Sequence, residues 1–297
     1  TLRFEPNVNT ALNVDSLITR ESSTFEMGTA SNPVGPNRTA EITFIDRGPI
    51  DEAWDPERKS RGLLAMGDVT IHGAAKTAHT ALAQHPTTGD GQIELSSAPT
   101  NWSAGDSLVI PGVSPHENQD EEVTVASVSG STVAIDETLQ YDHVPPAPEL
   151  DTYVLNLDRN VRFRSENTAT KRRGHGMLME TGNVVEYAGF YDMGRTDKSE
   201  RFSNPDYGGS EMTLPENANV KARYALHFHK TGPFRDVTPH EVTGCVVAPR
   251  TDGNGESGSP GWGFTNHQSY GHVTDSIAYR VFGAGFMTET GVEVGSF

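Results

Sequence analysis

Two histidines one residue apart, His227 and His229, lie in the run Tyr224-Ala225-Leu226-His227-Phe228-His229. Alternate residues of a strand share a face, so both imidazoles leave on one side while Leu226 and Phe228 face the other. Three more segments can be laid over the stretch Ala225 to Gly232: His175 to Gly182, Gly263 to Ser269 and Gly285 to Gly291. Each carries a large apolar residue early, at Leu178, Phe264 and Phe286. The overlay sets His229, His267 and Glu289 in one outward column, with Met179 one repeat earlier. His227 falls in the neighbouring column with Met177, Thr265 and Met287. Stacked strands lie about 4.8 Å apart and residues two apart along a strand about 6.6 Å. Three imidazoles and a carboxylate would thus meet on a patch small enough for one metal ion, whose ligand bonds are about 2.0–2.2 Å. Such a donor set suits Zn, Mn, Fe, Ni or Cu without selecting among them. The same side chains can also stand as ordinary exposed groups, or as a hydrogen-bonded ladder that holds no metal.

Other residues extend the chemistry. Asp192 lies in Tyr191-Asp192-Met193-Gly194-Arg195, where an acid beside an arginine can move a proton while the arginine neutralises an acidic sugar. A salt bridge at a turn is the alternative. His175 offers a further ligand or a proton shuttle, or a plain strand-entry residue. Arg173, in the basic run Lys171-Arg172-Arg173, and Tyr224 are candidates for holding substrate; His240 is a weaker one, and Cys245 belongs to an apolar strand. Asp252, Asn254 and Glu256 alternate with glycine in the manner of calcium-loop ligands, but the twelve-residue EF-hand frame is absent, which favours a plain loop over a calcium site.

These side chains must be positioned by short strands. Ala40 to Ile45, Leu64 to His72, Gln92 to Leu95, Ser107 to Ile110, Glu122 to Val125 and Thr132 to Ile135 alternate apolar and polar residues between Gly, Asn, Asp and Ser clusters. Only Lys76 to Gln84 suggests a short helix. Pro145-Pro146-Ala147-Pro148 punctuates the chain. A strand at Val154 to Arg164 follows, then strands at Asn183 to Phe190, Val242 to Val247 and His272 to Ala278. Repeats of solenoid length, interrupted by polar insertions at 196–222 and 251–260, read as the coils of a parallel β-helix. The expected fold is all-β: a β-rich module over 1–165, then a right-handed parallel β-helix over 166–297 that carries the site.

Composition narrows the partners. The 297 residues hold 40 acidic and 23 basic side chains, a net charge of −17. That excludes binding to nucleic acid through phosphates, which requires a basic face. Thirty glycines and eighteen prolines suit a turn-rich β chain. No apolar run reaches the ~18 residues of a membrane span, and the single cysteine excludes an internal disulfide. The acidic surface suits an extracellular or cell-surface setting. The chain reads as a piece of something longer or of a cleaved protein, its last coil to be covered by a downstream segment or a second chain.

Residues 1 to about 165 resemble the G-eight domain, through Ser22 to Thr29, Ala40 to Thr43, Met66 to Gly73, Trp102 to Asp106 and Leu139 to His143. Residues 174 to 297 resemble the right-handed β-helix that follows that domain in cell-surface hyaluronidases, hyaluronan-binding cell-migration-inducing proteins and fibrocystin-like proteins. Gly174-His175, Tyr191 to Gly194, Tyr224 to His229 and the stretch from Gly283 to Gly291 carry that likeness. The acidity is that of a microbial relative. The resemblance implies an extracellular enzyme that cleaves an acidic, hyaluronan-like polysaccharide. The residues leave two other readings open: a metal-dependent oxidoreductase or small-molecule lyase, and a non-catalytic glycan-binding or adhesion module.

Overall fold

The computed structural model describes residues 1–202, 218–250, 258–259 and 261–296, and the calcium-loop reading of Asp252, Asn254 and Glu256 lies outside them. Two compact units are present: 1–74 joined with 159–297, and 75–158 between them. In the first unit the chain visits three parallel sheets in a fixed order. The first turn consists of β1 (Leu2–Phe4), β2 (Thr10–Val14) and β3 (Ser16–Thr19), the second of β4 (Thr24–Met27), β5 (Ala40–Phe44) and β6 (Gly62–Ala65). The third turn opens with β7 (Asp68–His72) and is interrupted by the second unit. That unit is one antiparallel sheet of β8 (His79–Ala81), β9 (Gln92–Glu94), β10 (Ser107–Ile110), β11 (Glu121–Ser129), β12 (Thr132–Ile135) and β13 (Tyr153–Asn156). It closes on its own core of Leu82, Ile93, Trp102, Leu108, Val123 and Val154.

The first unit resumes with β14 (Val161–Ser165) and β15 (His175–Leu178), which complete the third turn. Next come β16 (Val184–Glu186), β17 (Ala188–Tyr191) and β18 (Leu226–His229), then β19 (His240–Thr243), β20 (Val246–Ala248) and β21 (Phe264–His267). β22 (Tyr270–Thr274), β23 (Ile277–Ala278), β24 (Phe286–Thr288) and β25 (Val294–Ser296) follow. The three stacks run β1-β4-β7-β16-β19-β22-β25, β2-β5-β14-β17-β20-β23 and β3-β6-β15-β18-β21-β24. Among the described residues there is no α-helix, only a 3-10 turn at Thr170–Arg172.

Alternation sets which face is inside. In β5 and β14, Ala40, Ile42, Phe44, Val161 and Phe163 are buried while Glu41, Arg162 and Arg164 are not. The inward residues stack turn on turn: the Phe163 and Phe190 rings lie parallel with centroids 5.0 Å apart, and Phe25 meets Phe163 edge-on at 6.5 Å. Each such ring removed from water contributes about 1.5–3 kcal/mol.

Four stretches read from the sequence as single strands are each two strands bent at a corner. Leu64 to His72 breaks at Gly67, where a Cβ would stand 2.3 Å from the Ser23 carbonyl of the turn below. The other three break at left-handed residues, Tyr187 (φ 53°), Gly244 (φ 64°) and Asp275 (φ 47°). Val154 to Arg164 is also two strands, β13 in one unit and β14 in the other. That explains why the division differs from the single cut expected at 165: the seam at 158/159 runs through an apparently continuous strand, and the turns begin at the first residues of the chain. The helix expected near Lys76 to Gln84 is instead β8, paired antiparallel with β13.

Candidate metal centre

The register of the third stack brings the histidines together. β15 pairs with β18 through Met177–His227 and Leu178–Phe228, and β18 with β21 through Leu226–Phe264, His227–Thr265 and His229–His267. β21 pairs with β24 through Phe264–Phe286 and Thr265–Met287, and the Glu289 amide donates to the Asn266 carbonyl at 2.8 Å, so Glu289 follows in register after His267. Both histidine strands end in left-handed residues immediately after the site side chain, Lys230 (φ 56°) and Gln268 (φ 48°). The Lys230 amide donates to the His267 carbonyl at 2.8 Å, tying the two strand ends together.

The column faces away from the main core, yet it is covered. Leu64, Met177, Ala222 and Tyr224 form a second apolar cluster over it, flanked by Met179 and Trp262. His227 is wholly buried and His267 nearly so; His229 is half-buried. Nδ1 of His227 lies 3.1 Å from the Ala222 carbonyl. An imidazole donating there carries its proton on Nδ1 and turns the Nε2 lone pair inward. Ala222 has a left-handed φ of 69°, a conformation that costs a residue with a Cβ roughly 1–2 kcal/mol.

One nitrogen from each of His227, His229 and His267 lies within 4.8 Å of the others. The Nδ1 atoms of His229 and His267 are 3.1 Å apart, and Glu289 Oε2 is 3.3 Å from His267 Nδ1 and 3.8 Å from His227 Nε2. His227 Nε2 and Glu289 Oε2 are buried without a hydrogen bond among the described residues. Such atoms are expensive to leave unsatisfied, and a cation between them would satisfy both. Tetrahedral ligands on bonds of about 2.1 Å stand roughly 3.4 Å apart, so the widest of these separations would close by about 1.4 Å on binding.

Electrostatics favours lone pairs. Burial, reinforced by the neighbouring imidazoles, holds His229 down at about 3 and His227 well below the usual range. Burial also lowers His267, with the Glu289 carboxylate opposing it. All three rings are therefore neutral near pH 7, the protonation state that binds metal. Tyr224 meets the His227 ring edge-on at 5.3 Å, and its hydroxyl lies 3.4 Å from Glu289 Oε1 and 3.4 Å from Lys198 Nζ. Burial, then Glu289, raises the Tyr224 phenol, so it keeps its proton. The Lys198 ammonium stands 3.4 Å from the centre of the Trp262 ring, and burial lowers its pKa. Lys198 and Trp262 are parts of this site that sequence reasoning missed; no periodicity marks them, because both arrive on irregular segments. A cavity of about 270 Å³ reaches His229 and His267, and four cations line it: Lys59, Lys221, Arg223 and Lys230.

The remaining candidates are not gathered there. Asp192 is buried, and its Oδ2 takes the Arg250 Nε at 2.7 Å, not Arg195. Arg195 is buried and donates to four backbone carbonyls, those of Arg58, Ser60, Arg61 and Arg173, at 2.6–3.1 Å. Arg173 is buried too, holding the Thr168 and Gly258 carbonyls at 2.6 Å each. His175 is buried with Nε2 2.7 Å from the Lys59 carbonyl, and desolvation followed by Arg195 and Arg223 keeps it neutral. The expectation of Asp192 and Arg195 as an acid working beside an arginine is therefore corrected: Asp192 pairs with Arg250, and Arg195 holds backbone carbonyls. Of the expected substrate-holding residues, Tyr224 is at the cluster and Arg173 is not. His240 is packed flat on Phe228, away from the cluster, with centroids 4.4 Å apart.

Comparison with known proteins finds the G8 domain read from the sequence, over a shorter stretch than 1 to about 165. Residues 1–83 match the G8 domain family. A G8 domain-containing protein of Dictyostelium discoideum is 24% identical over 80% of this chain and 18% of its own length. A second is 26% identical over 58% of this chain and 10% of its own length. The Communication mutant protein F of the same organism is 23% identical over 79% and 19%. The chain thus spans less than a fifth of the length of these relatives. Among solved structures, the tailspike protein gp49 of Pseudomonas phage LKA1 is 14% identical over 92% of this chain and 38% of its own, with a TM-score of 0.25. A tailspike of Acinetobacter baumannii bacteriophage AP22, solved with a capsular saccharide, is 14% identical over 91% and 48%, with a TM-score of 0.26. Scores this low do not establish a shared fold.

Proposed function

We propose that this chain is the site-bearing part of an extracellular, metal-dependent enzyme that cleaves an acidic polysaccharide of the hyaluronan type. Its stacked parallel sheets are read as a right-handed parallel β-helix, with the metal centre on the outer face of one sheet. The observation that carries the reading is the cation-lined cavity leading to three neutral imidazoles and a carboxylate, on a chain of net charge −17. On a strongly acidic protein, clustered cations of this kind favour a polyanion locally.

His227, His229, His267 and Glu289 are the residues that would hold a divalent ion. When bound, such an ion polarises a substrate oxygen or lowers the pKa of a water towards about 7. Ala222, through its carbonyl, fixes the tautomer and direction of His227. Tyr224, whose hydroxyl accepts from Lys198, orients the Glu289 carboxylate from the other side. Lys59, Lys221, Arg223 and Lys230 line the approach and would grip carboxylates along the polymer. Asp192, paired with Arg250, His175, held at the Lys59 carbonyl, and Arg195 and Arg173, whose guanidinium groups hold backbone carbonyls, are given no part in this reading.

The test is metal content by elemental mass spectrometry on untagged protein, beside His229→Ala/His267→Ala. About one equivalent of a transition metal in the parent and none in the variant is the expected result. No binding of Zn, Mn, Fe, Ni or Cu by the parent after supplementation would sink it. With loaded protein, an absorbance rise from an unsaturated product on hyaluronan distinguishes elimination from hydrolysis. Saturable glycan binding with no product would leave a glycan-binding module instead.

A further inference from the structure

Strand β21 turns Thr265 outward as well as His267. The register pairs Thr265 with His227 of β18 on one side and with Met287 of β24 on the other. Neighbouring strands lie about 4.8 Å apart, and residues two apart along a strand about 6.6 Å. His227, His229, Thr265 and His267 are therefore the corners of one patch, made of three imidazoles and a hydroxyl. Glu289, just after β24, reaches over this patch from the next turn: its Oε2 is 3.3 Å from His267 Nδ1 and 3.8 Å from His227 Nε2.

Thr265 is wholly buried, and its Oγ1 has no hydrogen bond among the described residues. The same is true of His227 Nε2 and Glu289 Oε2. Neighbouring positions of one patch thus each hold a buried polar atom without a partner. Burying a hydroxyl in that state is unfavourable, and valine would fill the same branched shape without the cost. The fold by itself therefore gives the hydroxyl no use. Asn266 Oδ1 is unpaired too, but Asn266 stacks in register with Phe228, on the opposite face of the sheet. On the carboxylate, Oε1 of Glu289 meets the Tyr224 hydroxyl at 3.4 Å, while Oε2 has no such partner.

We propose that Thr265 is a positioning residue of the metal centre: its hydroxyl donates to an oxygen gathered at the bound ion, of the Glu289 carboxylate or of a water, and so holds the ligands in place. The inference rests on the metal reading of His227, His229, His267 and Glu289, and it adds a side chain that binds no metal itself. A hydroxyl carries one donor and two acceptor sites, which suits it to pair with such an oxygen. Groups that brace metal ligands in this way typically contribute about 10- to 100-fold in metal affinity.

Competition with a chromophoric chelator, using zinc(II) and copper(II) as probes, gives the metal affinity of the full chain, of Thr265→Val and of Thr265→Ser. The melting curve of each is recorded without metal. Thr265→Val removes only the hydroxyl. It should weaken binding by about 10- to 100-fold at a stoichiometry still near one. Its metal-free melting temperature should stay the same or rise, because without metal the hydroxyl has no hydrogen bond to lose. Thr265→Ser keeps the hydroxyl and should bind nearly as the parent does. A threonine needed only for packing gives the reverse pattern, and a lower metal-free melting temperature of Thr265→Val with parental affinity overturns the proposal. Parental affinity with an unchanged melting curve overturns it equally and leaves the metal centre standing. No binding of either ion by the parent overturns the metal centre and the role of Thr265 together.

Discussion

Adding a transition metal to metal-free protein should raise its melting temperature by an amount that can be worked out in advance. An ion that binds only the folded state stabilises it by about 2.7 kcal/mol when its free concentration is about 100 times Kd. Unfolding entropy near 60 °C is about 2.1 cal/mol/K per residue, so for 297 residues the slope is roughly 0.6 kcal/mol/K. The expected shift is about 4 °C, and larger if only the unit of parallel sheets unfolds in that transition. Glu289→Gln preserves the side chain's size beside Tyr224 but removes its charge. A tenfold loss of affinity would leave about 1.4 kcal/mol, or near 2 °C, at the same concentration. His229→Ala/His267→Ala should show no shift, whatever its own baseline stability. The assay is differential scanning fluorimetry or calorimetry against each ion, with magnesium as control. A double variant that gains as much as the parent would refute the geometry, because the ion would then be bound elsewhere.

Three further outcomes are expected. Burial holds His240 at about 4, below its ordinary 6.5, so the unfolded chain takes up its proton first as pH falls. Its contribution is intact above about pH 6.5 and is lost on acidification towards pH 4, on the order of 3 kcal/mol; urea midpoints of the parent and His240→Gln should converge over that window, and a constant gap would contradict this. Asp192→Ala leaves the Arg250 guanidinium without its acid and should lower stability by about 3–5 kcal/mol in urea unfolding, while metal content stays unchanged; lost metal with intact stability would return Asp192 to the site. Gly67→Ala drives a Cβ against the Ser23 carbonyl and should lower the urea midpoint by about 1–3 kcal/mol equivalent, with no effect expected only if the corner can open.

The metal column was legible because two independent periods meet in it. Alternation along a strand puts His227 and His229 on one face, and repetition between turns sets His267 and Glu289 above His229; the strand register agrees with both. The corners were not legible where ordinary residues such as Tyr187 and Asp275 adopt left-handed backbone, since nothing in their chemistry demands it. Nor was the inserted unit, whose last strand runs on towards the next strand of the parallel stack with only a short link between.

Residue types and spacing alone determined that this protein is built of strands, that its surface is acidic, and that two imidazoles and a carboxylate share a column with a third imidazole in the column beside it. Those follow from local rules: the two-residue period, glycine-rich turns and the charge count. Tertiary structure decided that the column is covered, that its histidines are neutral, and that Lys198 and Trp262 stand beside it. It also decided that Arg173 and Arg195 are internal. An arginine's role depends on which groups meet its five donors, and here they are carbonyls from distant parts of the chain, Arg58 to Arg61 among them. A backbone carbonyl is the same in every residue, so no reading of side chains could have named those partners.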